Sequence, residues 1–250
     1  MLSKKLLLII TLTLLASNSP AKDHAHWAYE GAMGPEKWGM LSEEFATCTI
    51  GKQQSPIDIV SDKAVKKDLP PLEFDYQPIP LGLQNNGHTI YIAADKAGKL
   101  TLDKQSYSLA QFHFHTPSEE AVDGKRADMV AHFVHKNDKG ELLVVALFLN
   151  QGAANTELDK IWQVLPKEEG ELQQHEKISV DLTKLLPESK QYYSFIGSLT
   201  IPPCTESVKW VVLKSPVTLS TEQLKTFQTL YPHNARPLQP VGEREIAVSK

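Results

Sequence analysis

The sequence is short of cysteine, of net charge and of long apolar runs, and each shortage excludes something. Two cysteines, Cys48 and Cys204, stand in 250 residues. Neither belongs to a C-x-x-C pattern, which argues against a zinc-thiolate centre and against a dithiol redox site. The formal net charge is only −4, with no stripe of lysine or arginine, so nucleic acid is a poor candidate partner. There is no internal repeat, no low-complexity tract and no interdomain linker, and the length suits a single β-rich domain. Hydrophobic residues at 41% and charged residues at 22% exclude a fibre, a wholly disordered chain and a multi-span membrane protein.

The one notable apolar run lies at the start. Lys4 and Lys5 precede Leu6 to Leu15, a stretch too short to span a bilayer comfortably, and Ser19-Pro20-Ala21 offers small residues for cleavage. Residues 1–21 therefore read as a secretory signal peptide and 22–250 as the mature domain. The expected product is exported, periplasmic or secreted, with no membrane attachment after cleavage. In an oxidising compartment an isolated cysteine pair usually forms a disulfide, so Cys48 and Cys204 are expected to be bridged.

Most of the middle of the chain alternates with period two. His88 to Ala93, Lys99 to Asp103 and Gln111 to His115 read as strands with two different faces. Leu142 to Leu149 is continuously apolar, as a strand covered on both faces should be, and Asn137 to Gly140 before it reads as a hairpin turn. A further strand is expected at Ser207 to Leu213. Helices are few. Leu158, Ile161, Trp162 and Leu165 recur at helical spacing behind Asn155 or Thr156, and Ser220-Thr-Glu-Gln223 resembles a capping box with Leu224 and Phe227 on the inner face. The fold class is mainly β, with peripheral short helices.

Gln111-Phe-His-Phe-His115 is the most informative segment. On a strand, Gln111, His113 and His115 share one face while Phe112 and Phe114 anchor the other. Two neutral imidazoles side by side can ligate zinc, and a third ligand would leave one tetrahedral position open to water. Ala131-His-Phe-Val-His135 is a second alternating strand, separated from the first by the Asp123-Gly124 turn signal, and as an antiparallel neighbour it could supply that ligand. His132 and His135 face opposite sides of such a strand, so only one can join; spacing does not say which.

With these segments in view, the sequence resembles an α-class carbonic anhydrase of the exported bacterial type. The likeness runs through His26-Trp-Ala-Tyr-Glu-Gly, Gln54-Ser-Pro-Ile-Asp-Ile59, Asn85-Asn-Gly-His-Thr-Ile90, Gln111 to Glu119, Gly197 to Pro203, and Asn234-Ala-Arg-Pro-Leu-Gln-Pro240. It covers essentially the whole mature chain. The resemblance implies a twisted, mostly antiparallel ten-stranded sheet, a Zn2+ cofactor, and reversible hydration of carbon dioxide to bicarbonate. Related bacterial enzymes are often dimers, which makes a homodimer an expectation.

The resemblance also implies roles by position. His113, His115 and His132 look like the zinc ligands and His135 looks structural. Thr200 and Glu119 look like a gate-keeping pair: a hydroxyl that donates to Glu119 can only accept from solvent at the metal, which orients the nucleophile. His88 looks like the proton shuttle, with Tyr29 and Asn86 organising the proton-carrying waters. Val134, Val144, Leu199 and Trp210 match the apolar substrate pocket, and Val134 lies two residues from His132, on the same strand face. Gln111 and Glu120 are expected to support the ligands.

Three positions depart from the family pattern. Glu120 stands where most members have histidine, Val130 where most have a glutamate that accepts from the third ligand's ring, and Ile201 where a small polar residue is common. None removes a zinc ligand or the Thr200–Glu119 pair. The expectation is that Glu120 turns inward and accepts from His132 in place of the missing glutamate, with Val130 filling the vacated space. The alternatives are a catalytically silent, carbonic anhydrase-like binding module, whose signature would be a lost ligand histidine, and a zinc-holding protein, which needs neither gate-keeping pair nor shuttle.

Overall fold

The computed structural model describes residues 25–250; the expected signal peptide, 1–21, lies outside them. Its main sheet is built on ten strands. In chain order these are β1 (Val65–Lys67), β2 (Ile79–Asn85), β3 (Ile90–Ala93), β4 (Gln105–His115), β5 (Met129–Lys136), β6 (Leu142–Gln151), β7 (Gln173–Val180), β8 (Tyr192–Ser198), β9 (Glu206–Leu213) and β10 (Ala247–Ser249). They lie side by side in the order β7-β2-β3-β4-β5-β6-β9-β8-β10-β1. Pairing is antiparallel except for β6 with β9 and β10 with β1. Three short strands, Glu73–Tyr76, Gly98–Leu102 and Val217–Leu219, pair with this sheet off the main path. A separate small sheet joins Asp58–Ile59 to a hairpin of Ala121–Val122 and Lys125–Arg126.

Two apolar layers follow from strand alternation. Along β6, Leu143, Val145, Leu147 and Leu149 enter one core, together with Phe112, Phe114 and Phe133. Val144, Ala146 and Phe148 enter the other, with Val130, Phe195 and Trp210. The continuous apolar run of β6 is thus explained by burial on both faces. His113 and His115 of β4 and His132 of β5 stand on the second face, backed across the sheet by the phenylalanines of the first. That core makes a stiff base for the site.

The helices are local in origin. Asn155 caps Thr156–Trp162 by accepting from the N–H groups of Glu157 and Leu158, and Ser220 and Gln223 form a reciprocal capping box at the start of Thr221–Gln228. The first of these helices ends before Leu165, because that residue precedes Pro166 and is driven out of the helical region. The third strand begins at Ile90, two residues later than alternation suggests. Asn86 Oδ1 accepts from the N–H groups of both His88 and Thr89, holding them in the turn. The Asn137–Gly140 turn is closed in the same way, by Asn137 Oδ1 on Lys139 and Glu141.

Candidate metal centre

Antiparallel register places His132 of β5 directly opposite His113 of β4, with His115 two residues further along on the same face. The three rings bring one nitrogen each to within 4.8 Å of one another. His135 does not join them. A register shift falls between Val134 and His135, and the ring of His135 lies on the opposite face, where its Nε2 meets the Tyr76 hydroxyl at 2.6 Å. The ambiguity left by the H-x-x-H spacing is resolved by the register of β5 on β4.

Each ring is fixed by an acceptor on its other nitrogen. His113 Nδ1 donates to Gln111 Oε1 at 2.9 Å, His115 Nδ1 to the Asn234 carbonyl at 2.7 Å, and His132 Nε2 to Glu120 Oε2 at 3.1 Å. These acceptors set the tautomers. The open lone pairs are therefore at His113 Nε2, His115 Nε2 and His132 Nδ1. His115 Nε2 is buried and has no hydrogen-bond partner. An unpartnered buried imidazole nitrogen is costly in a core unless something else coordinates it. The donor set suits a divalent metal that favours imidazole.

The electrostatics keep two of the rings neutral. Burial lowers the pKa of His113 to about 3, with repulsion from His132 adding to it. Burial likewise takes His115 well below its ordinary value, reinforced by His132 and His113 and opposed by the bond to Asn234. On His132 burial acts the same way, but the charge and hydrogen bond of Glu120, together with Glu119, outweigh it and the pKa is raised.

Glu119 and Glu120 are both fully buried beside the trio. Glu119 Oε1 accepts from the Arg236 N–H at 2.8 Å, and Oε2 lies 3.4 Å from His115 Nε2 and 3.8 Å from His132 Nδ1. Burial pushes the Glu119 carboxyl up to about 7. His132 pulls it down, Glu120 pushes it up, and the Arg236 N–H and the nearby Thr200 side chain lower it, while Oε2 is buried without a hydrogen-bond partner. Thr200 is itself buried. It is presented by a turn in which Leu199 N–H donates to the Thr205 carbonyl and Cys204 N–H to that of Ile201. A Cys48–Cys204 disulfide pins this turn to the N-terminal segment.

An apolar wall stands next to the three histidines. Val134 pairs with Val144, and Val144 with Trp210, across three adjacent strands. Leu199 packs into the same cluster. The Trp210 ring meets His132 edge-on at 5.0 Å. Val130 is fully buried in this cluster too, so no carboxylate stands on that strand beside His132.

His88 is half-buried and stacks on Trp27 with ring centroids 3.7 Å apart and planes 8° from parallel. Burial lowers its pKa; His26 adds to the shift and Glu169 opposes it. Tyr29 packs edge-on against Trp27 and Trp38. Its hydroxyl is held well above the ordinary phenol range by burial, then by the charges of Glu119 and Tyr231. Asn86 spends its side-chain oxygen on the turn that carries His88.

Sequence reasoning gave no role to Asn234, whose carbonyl orients His115 and whose side chain bonds Thr116, His88 and Phe114. Nor did it assign Arg236, Arg126 or Trp27. Asn234 and Arg236 share one short motif near the C-terminus, and Trp27 lies in the His26-Trp-Ala-Tyr-Glu-Gly segment; those motifs were the available signals.

Comparison with known proteins agrees with this geometry. Residues 33–250 match the model of the eukaryotic-type carbonic anhydrase family. A carbonic anhydrase of Klebsiella pneumoniae is 48% identical over 227 residues, covering 89% of this chain and 90% of the relative. The α-carbonic anhydrase of Thermovibrio ammonificans, solved with the inhibitor sulfanilamide, superposes with a TM-score of 0.86 at 44% identity, over 91% of this chain and all of the other. Dioscorin in complex with ascorbate also superposes, with a TM-score of 0.84 at 30% identity, over 89% of this chain and 97% of that one.

Proposed function

The chain belongs to the eukaryotic-type carbonic anhydrase family, and we propose that it hydrates carbon dioxide reversibly to bicarbonate and a proton at a zinc ion held by His113, His115 and His132. One observation carries the reading: three imidazoles share one face of the sheet with their other nitrogens already committed, and His115 Nε2 is buried without a partner. Bound there, zinc would lower the pKa of a coordinated water to about 7 and so supply a nucleophile at neutral pH.

The protein's own groups then have separable tasks. Thr200, by donating to Glu119, leaves only its oxygen lone pairs to face incoming solvent, which fixes the direction in which a nucleophile points. Val134, Val144, Leu199 and Trp210 exclude water from a small volume suited to an uncharged linear substrate. His88, half-buried on Trp27, is the group that takes protons to bulk buffer, and Tyr29 and Asn86 order the path. Gln111 and Glu120 hold two ligand rings in the required tautomers. The bridge between Cys48 and Cys204 supports placement in an oxidising compartment, the periplasm or the exterior, consistent with a leader at 1–21.

Dioscorin shows that likeness of fold leaves room for other ligands. The proposal therefore stands on the trio, and alanine substitutions test it. Purified H113A, H115A and H132A should each lose most bound zinc and most hydration activity, while His135→Ala should keep zinc and lose stability. Equal zinc loss from all four variants would contradict the assignment.

A further inference from the structure

Glu119 and Glu120 are adjacent, fully buried carboxylates that reach His132 from its two ring nitrogens, Glu119 beside Nδ1 and Glu120 on Nε2. Two neighbouring buried acids repel each other and resist desolvation, so something must hold the segment in place. Arg126, at the end of the Lys125–Arg126 strand, supplies both contacts and charge. Its Nη1 donates to the Ser118 carbonyl at 2.6 Å, immediately before the two acids, and its Nη2 to the Arg236 carbonyl at 3.1 Å. Arg236 in turn presents its N–H to Glu119 Oε1. The chain of contacts closes on itself, from Glu119 through the Arg236 backbone and the Arg126 guanidinium back to Ser118.

The rest of the hairpin reinforces the same segment. Ser118 N–H donates to the Ala127 carbonyl, Ala127 N–H donates to Ser118 Oγ, and that hydroxyl donates to the Glu120 carbonyl. Arg126 is half-buried; burial opposes its charge, and Glu119 and Glu120 favour it. Arg236, the other guanidinium near Glu119, is committed elsewhere. Its side chain donates to Gln54 Oε1 and to the carbonyls of Ser55 and Cys48. Glu120 Oε1 is buried without a hydrogen-bond donor.

We propose that Arg126 is a positioning residue of the metal site, tying Ser118 to Arg236 so that Glu119 and Glu120 approach opposite ring nitrogens of His132. The proposal rests on the zinc reading above. A planar guanidinium suits this task because it donates to two carbonyls at once; lysine offers one compact charge and cannot bridge in the same way.

The test compares R126M and R126K with the parent protein and with K125M, a change in the same hairpin on an exposed residue. Three quantities are read: the rate of zinc release to excess chelator, kcat and KM for carbon dioxide hydration, and the melting temperature. Outer contacts of metal ligands typically govern affinity or activity by 10–100-fold, and Arg126 stands one contact further out. R126M should therefore release zinc about tenfold faster and lose kcat with KM little changed. R126K should recover part of the loss, and K125M should match the parent. If R126M does not fold, R126K alone should still release zinc faster than the parent. Parent-like zinc release and kcat in R126K, with or without a lowered melting temperature, would overturn the positioning role. A parent protein that holds no zinc would overturn the zinc reading first, and this proposal with it.

Discussion

Glu120 Oε2 stands 3.1 Å from His132 Nε2, which leaves Nδ1 as the open nitrogen of that ring. Val130, the residue two before His132 on the same strand face, is fully buried in an apolar cluster. The acceptor for the His132 ring thus comes from the loop after β4 and not from β5 itself. Glu120→Gln keeps an acceptor oxygen but removes the charge, and should weaken zinc retention by about tenfold or more, measured by chelator competition. Val130→Glu should not improve retention while Glu120 remains, because two carboxylates would crowd one donor. Zinc release unchanged in Glu120→Gln would show that the contact carries little.

His135 predicts an acid limb of stability. Burial lowers its pKa from the ordinary 6.5 to about 4, opposed by hydrogen bonds to the Leu143 and Phe133 carbonyls. Between those values the unfolded chain binds a proton that the folded chain refuses. The associated stability is complete above about pH 6.5 and is lost as pH falls towards 4, on the order of 3 kcal/mol for this one group. Denaturant titrations of His135→Gln should show lower stability overall and a flatter profile across that window. An unchanged slope would mean other groups set the acid limb.

His88 should govern turnover where buffer is scarce. His88→Ala should lower kcat in weak buffer with kcat/KM for carbon dioxide nearly unchanged, because proton export follows the chemical step. Imidazole-type buffers should restore part of the loss. Full turnover at low buffer would move the role to another group, with His26, whose ring lies 6.4 Å from that of His88, the first to examine.

The Cys48–Cys204 bridge closes a sequence separation of 156, for which the chain-entropy model gives about 5 kcal/mol before any strain. Both cysteines also contribute carbonyls near Arg236: Cys48 to its guanidinium, and Cys204 to the Gln54 amide that bonds the same group. Reduction should lower the melting temperature substantially and should slow hydration through loosening of the Thr200 turn. Two alkylatable thiols in exported material would contradict the bridge.

Local chemistry was legible in the sequence and long-range register was not. The Asn155 cap, the Ser220 capping box, the H-x-H face and the doubly buried β6 all follow from residues within a few positions of one another. The choice of His132 over His135 could not be read from spacing, since it depends on which face of β5 meets β4 and on the shift after Val134. The parallel pairing of β6 with β9 joins segments more than sixty residues apart. Arg126 and Asn234 were silent for the same reason. Their partners lie at Ser118, Arg236 and His115, and only folding brings them together.

We propose that one zinc ion on His113, His115 and His132 carries carbon dioxide hydration. Stopped-flow hydration assays on the purified protein, before chelation, after zinc removal, and during stepwise return of zinc, test it most directly. Activity should be abolished with the metal and return in proportion to zinc up to one equivalent per chain. Activity that survives removal, or a protein that takes up one zinc and still does not hydrate carbon dioxide, would contradict it.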